Sequence, residues 1–112
     1  MKENLFSYGT LQKEKVQLDL FGRTLTGIKD TVRGYKISTI EIKDESVVSK
    51  SEQALHLIAI AATLHDKIDG MVLELTSQEL ATADAYETDD YKRIEVILEP
   101  GKRAWIYVAA RL

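Results

Sequence analysis

Residues 55–63 (LHLIAIAAT) are apolar on both alternating phases, and that one stretch narrows the folds open to the chain. A strand without a polar phase has no face to give to water. It reads as the central strand of a sheet covered on both sides. The chain has 112 residues, 45% of them hydrophobic and 29% charged, which suits one globular core but not two. A single domain over residues 1–112, organised around a sheet, is expected.

The flanking elements are less sharply drawn. Residues 5–8 (LFSY) read as a short first strand, and residues 12–21 mix helix formers with Val16, Leu18 and Leu20, leaving helix and irregular structure both open. Gly22, Gly27 and Gly34 mark turns or bulges. Residues 35–42 (YKISTIEI) alternate and then slip phase at Ile40, which a bulge would reconcile. The polar residues 43–53 (KDESVVSKSEQ) predict a loop, with Val47-Val48 a short strand inside it. In residues 70–75 (GMVLEL), Met71, Leu73 and Leu75 share one phase.

The strongest local signal is Thr76-Ser77-Gln78-Glu79, a capping box with Leu75 and Leu80 placed for the accompanying hydrophobic staple. It predicts a helix running to about Thr88. Residues 91–98 (YKRIEVIL) and 103–110 (RAWIYVAA) then flank Pro100-Gly101, the sequence of a type II turn, and predict a hairpin. Glu99 opposite Lys102 would set Val96 across from Trp105 and Ile94 across from Tyr107. The sum is an α+β domain. We expect a mixed, mostly antiparallel sheet of about six strands, curled into a small β-barrel, with one main helix and short flanking helical segments.

Composition removes several function classes. A net charge of −3 gives no electrostatic reason for binding nucleic acid or an anionic membrane surface. The absence of Cys removes disulfides, thiolate metal sites and Cys nucleophiles, and suits a reducing cytosol. Lys2 and Glu3 precede too few apolar residues for a signal peptide, and the longest apolar run, residues 57–62, is far short of a membrane helix. A cytoplasmic location is expected. His56 and His65 lack metal-ligand spacing, and Ser7 and Ser38 suggest no nucleophile elbow. Neither a metal nor a cofactor is expected.

Two features carry possible chemistry. With Leu80 committed to the core and about 100° per residue, Glu87 falls within about 20° of the same stripe and Asp84 within about 40°. A carboxylate there must be paired, hydrogen-bonded or facing a cavity. The alternative is a helix that frays before Glu87 and lets it point to water. The other feature is Tyr8-Gly9-Thr10, where an apolar strand ends in a glycine. It reads either as a plain turn or as a loop whose successive N–H groups face an anion, with Gly9 permitting positive φ and close approach. Tyr91 and Arg93 share a strand face; Arg93 suits either a substrate carboxylate or an ion pair with a surface acid. Trp105 and Tyr107 read as hairpin core, with Tyr107 able to reach a cavity. Arg23 reads as a turn residue.

Tyr8-Gly9-Thr10-Leu11 resembles the YGTL signature of the γ-glutamylcyclotransferase-like family, whose plant members are called avirulence-induced. Residues 21–37 (FGRTLTGIKDTVRGYKI) are similar to its second block. Residues 68–98 are similar to its third: Gly70, then Asp84-Ala85-Tyr86-Glu87, then Tyr91-Lys92-Arg93. The resemblance implies a small barrel with a cavity at its mouth and Glu87 as the catalytic acid/base. It also implies that the backbone of Tyr8, Gly9, Thr10 and Leu11 holds the amino-acid end of a γ-glutamyl substrate, with Tyr91 and Arg93 as further contacts. The implied reaction releases 5-oxoproline and a free amine. The alternative is a non-catalytic module binding a small carboxylate metabolite in the same cavity. Gln12 stands where many relatives carry Arg or Lys, and residues 43–53 are the main candidate for a lid.

Overall fold

The computed structural model describes residues 2–41, 55–87, 90–98 and 101–110. The predicted loop at 43–53, with its Val47-Val48 strand, lies outside the described residues. The first segments are β1 (Lys2–Ser7), a 3-10 turn (Thr10–Gln12), α1 (Glu14–Phe21), β2 (Gly27–Arg33) and β3 (Tyr35–Glu41). After these come β4 (Leu55–Ala61), β5 (Lys67–Thr76), α2 (Ser77–Tyr86), β6 (Tyr91–Ile97) and β7 (Arg103–Ala109). The class is α+β, with seven strands rather than about six among the described residues.

The strands form one sheet in the order β2-β5-β1-β7-β4-β3, with β6 paired to β7. Pairing is antiparallel except for β1 and β4, which both run parallel to β7. The expected barrel does not close. β2 and β3 end the ladder, and they are successive halves of one ribbon bent at Gly34, whose φ of 89° a side chain would resist. Gly34 N–H donates to the Asp66 carbonyl, and Ala62 N–H donates to the Gly34 carbonyl. The bend is therefore held against the turn between β4 and β5.

Alternation along the strands divides the core in two. Leu5, Leu73, Leu75 and Tyr107 face the helices, where they meet Val16 of α1 and Leu80, Ala83 and Tyr86 of α2. Phe6, Val72, Ile106 and Val108 face the concave side with Val32, Ala59 and Ile68. Fully burying a side chain such as Val16 or Leu75 stabilises by roughly 1.5–3 kcal/mol. Gly70 sits where β5 crosses Phe6; an added Cβ would collide with the Ser7 carbonyl and lie 2.8 Å from the Phe6 ring.

Three local expectations change. β3 pairs with β4 in unbroken register from Tyr35↔Ala61 to Glu41↔Leu55, so there is no bulge. β3 is a terminal strand with Ile37 exposed, so neither phase has to be the buried one. The hairpin is offset by one residue: Val96 faces Ala104, and Ile94 faces Ile106. Leu98 N–H donates to the Lys102 carbonyl, leaving a three-residue connection that includes Gly101 at φ 107°. The capping box forms, with Glu79 N–H donating to Thr76 Oγ1 at 3.1 Å and Thr76 N–H to Glu79 Oε1 at 2.9 Å. The helix, however, ends at Tyr86, and Glu87 is an extended cap with φ −70° and ψ 140°. Thr88, its expected end, lies outside the described residues.

Candidate active site

The site begins where the sheet divides. β6 occupies one edge of β7 along its whole length. β1 and β4 share the other: β1 pairs at Trp105 and Ile106, and β4 takes over at Val108. Where the two part, the Tyr107 carbonyl and the Ala59 N–H need partners, because a buried backbone group without one costs about as much as a lost hydrogen bond. Tyr8 supplies both. Its phenol donates to the Tyr107 carbonyl at 2.5 Å and accepts the Ala59 N–H at 2.9 Å.

The chain beyond Tyr8 is therefore left without a strand to join. Gly9 has φ −128° and ψ −144°, so the positive φ allowed for in the sequence is not used. A Cβ at Gly9 would meet nothing within 4 Å, so it would point into open space. Gln12 N–H donates back to the Gly9 carbonyl and Lys13 N–H to that of Thr10, tightening the turn. The amides of Thr10 and Leu11 stand at its start, where no carbonyl of the turn precedes them. Two side chains brace this loop. Gln17, 3% exposed, donates to the Leu11 carbonyl at 2.8 Å and accepts Leu25 N–H at 2.8 Å. Thr10 Oγ1 lies 3.0 Å from the Tyr86 hydroxyl, joining the loop to the last turn of α2.

A cavity of about 210 Å³ opens between loop and helix end. Its walls include Tyr8, Gly9, Thr10, Leu11, Glu87 and Tyr91. Glu87 is partly buried, and its N–H still donates to the Ala83 carbonyl. Burial first, and the nearby charge of Asp84 second, push its carboxyl up to about 8. Such an acid is half-protonated near pH 8, where it can both take and give a proton. Phenols surround it. Burial is the largest cause raising Tyr8, Tyr91 and Tyr107 above the usual tyrosine value, and the charge of Glu87 adds to each.

Arg93 stands apart from the other candidates. It is not among the residues lining the cavity. Its guanidinium grips Asp84 through two hydrogen bonds of 2.8 and 3.0 Å and lies 4.4 Å from the centre of the Trp105 ring. Of the two roles open to it in the sequence, the ion pair is the one observed. Asp84 also accepts the Tyr107 hydroxyl at 2.7 Å. Arg23, read as a turn residue, pairs with Glu79 of α2 at 2.7 Å. Among the cavity residues that the sequence reading passed over are Lys13 and Leu57. Lys13 brings a cation one position after Gln12, whose own side chain folds back toward the Gly9 carbonyl. Leu57 lines the cavity and is 42% exposed, although its strand read as covered on both faces. No group of His, Asp and Glu able to hold a metal occurs among the described residues, and no helix among them is long and apolar enough to cross a membrane.

Residues 5–112 match the family described as "Gamma-glutamyl cyclotransferase, AIG2-like". Two Arabidopsis thaliana proteins solved in solution share 20% and 23% identity with the chain, with TM-scores of 0.69 and 0.74. They match 97% and 98% of this chain, which spans 62% and 70% of theirs. A structure titled "Gamma-glutamyl cyclotransferase" has 14% identity and a TM-score of 0.70 over 99% of this chain and 68% of its own. At these identities the likeness is one of fold. None of the curated proteins matches the sequence.

Proposed function

The chain belongs to the gamma-glutamyl cyclotransferase, AIG2-like family, and on that premise we propose that it cyclises a γ-glutamyl amine or amino acid to 5-oxoproline, with Glu87 as acid/base. The observation that carries this reading is that Glu87 and the Tyr8–Leu11 loop line one small cavity. At about 210 Å³ the space is below the roughly 300–1,000 Å³ of drug-sized pockets, so it suits a glutamyl head with the leaving amine toward the mouth.

The substrate carries its own nucleophile. Its α-ammonium gives a proton to Glu87, and the freed nitrogen attacks the γ-carbonyl carbon to close a five-membered ring. The tetrahedral oxyanion collapses and the bond to the leaving nitrogen breaks as that nitrogen takes the proton held by Glu87; the freed carboxylate then removes the second proton from the ring nitrogen, which the attack left with two, and passes it to the departing amine. Products are 5-oxoproline and the free amine, and no metal or cofactor enters the balance. A carboxyl near 8 is matched to an α-amino group at about 7.7–8.0, so neither transfer is steeply uphill. Holding the chain bent contributes most, since intramolecular attack reaches effective molarities of about 10⁵–10⁸ M. The Thr10 and Leu11 amides, with the Lys13 ammonium nearby, suit the α-carboxylate.

The test is a panel of γ-glutamyl amines assayed for 5-oxoproline. Turnover is expected, and Glu87→Gln is expected to lower kcat by about 10²–10⁴-fold while the protein stays folded. Binding without turnover across the panel would overturn the reading in favour of a carboxylate-binding module.

A further inference from the structure

Three tyrosines meet in the cavity, and each has its proton committed elsewhere. Tyr8 donates to the Tyr107 carbonyl, Tyr91 to the Leu57 carbonyl at 2.8 Å, and Tyr107 to Asp84 Oδ1 at 2.7 Å. A carbonyl can only accept, and the Asp84 carboxyl oxygens, which already accept from the Arg93 guanidinium, accept from Tyr107 as well, so the phenol is the donor in all three bonds. Toward the cavity these oxygens can therefore offer only lone pairs. One pair on Tyr8 already accepts the Ala59 N–H. Tyr91 and Tyr107 receive no second donor among the described residues, and both feel the charge of Glu87.

We propose that Asp84, anchored by Arg93, fixes Tyr107 as a hydrogen-bond acceptor, so that Tyr107, Tyr91 and Glu87 together form a receptor for a cationic nitrogen. The assignment rests on the cyclotransferase reading and adds what the site selects. An α-ammonium presents three donors and a positive charge to this ring of acceptors. A lactam nitrogen presents one donor and no charge. The cavity holds the open-chain amino acid and lets 5-oxoproline go, and an N-acylated γ-glutamyl compound is excluded for the same reason. Asp84 and Arg93 are positioning residues here, acting through the Tyr107 hydroxyl.

The probe is L-methionine sulfone, which keeps the α-amino acid head and two-methylene spacer but has no carbonyl carbon to attack. Its partner is 4-(methylsulfonyl)butanoate, the same molecule without the amino group. In calorimetric or NMR titrations the amino compound is expected to bind the wild-type protein about ten- to a hundred-fold tighter, as charge-assisted hydrogen bonds would require. Tyr107→Phe and Asp84→Asn should narrow that ratio, with Tyr91→Phe as the independent third variant; circular dichroism melts establish folding. Equal affinity for the two probes, binding of neither, or a ratio unmoved in the folded variants would overturn the proposal. Turnover of γ-glutamyl amines with a flat ratio overturns this inference and leaves the reaction standing. Selective binding without turnover does the reverse.

Discussion

Replacing Glu87 by Gln should make the protein more stable, by an amount set by pH. The side chains have the same shape, and only one of them can ionise. The folded carboxyl titrates at about 8 against 4.5 for an unperturbed glutamate. Below pH 4.5 both folded and unfolded chains hold the proton and the wild-type pays nothing. Between 4.5 and 8 the unfolded chain releases it while the folded chain keeps it, so wild-type stability falls by about 1.4 kcal/mol per pH unit. Above 8 the loss is complete. The full interval corresponds to ~5 kcal/mol, an upper figure because water entering the cavity solvates the carboxylate. Urea unfolding followed by the single Trp at pH 5.0 and 8.5 measures it. The advantage of Gln over Glu should grow by up to ~4 kcal/mol between the two, a large part of the 5–15 kcal/mol typical of a domain. Any constant cost of the amide cancels in that difference, as does every other titrating group distant enough to be independent. A pH-independent gap, or a wild-type that gains stability toward pH 8.5, would refute the desolvated carboxyl.

Tyr8→Phe removes the one hydroxyl that serves two buried backbone groups in the sheet fork; at about 1–3 kcal/mol for each orphaned group, a loss of ~2–6 kcal/mol in urea unfolding is expected. Gly9→Ala meets no atom within 4 Å, so stability should stay within about 0.5 kcal/mol while kcat/KM falls at least tenfold, since the methyl occupies ligand space. The profile of kcat/KM against pH should be a bell centred near 8. The reaction needs one proton shared between Glu87 and the α-amino group, and it fails with two or with none. An acid limb near 4.5 would contradict it.

Much of the fold was legible where the determinants are local. The capping box lies within four residues, and Thr76 and Glu79 make it as written. The hairpin was legible as a hairpin, but its register depended on whether two or three residues connect the strands, which Pro100-Gly101 does not specify. Long-range matters were opaque. Nothing near Tyr8 in sequence announces that its hydroxyl joins residues 51 and 99 positions away. Leu57 looked like core because periodicity registers an apolar side chain without saying whether it meets packing atoms or an open cavity. The helical wheel that sets Glu87 on the buried stripe does not reach it. The buried stripe of α2 ends with Tyr86, and Glu87 lines the cavity as an extended cap.

The position of the cavity follows from topology more than from any one motif. Two strands parallel to β7 must share its single free edge, because β6 fills the other, and two strands cannot share an edge without parting. At the parting the ladder loses partners, and the chain leaving the carboxyl end of β1 has no strand to follow. Open α/β sheets place their ligand crevices outside the carboxyl ends of strands where neighbours diverge, for the same reason. Here one phenol closes the fork, and the next residues form a 3-10 turn that lines the cavity. The helix opposite ends one residue before its acid, so the carboxyl enters that crevice from the far side. The fork sets where the cavity lies, and Glu87 and the committed phenols line it.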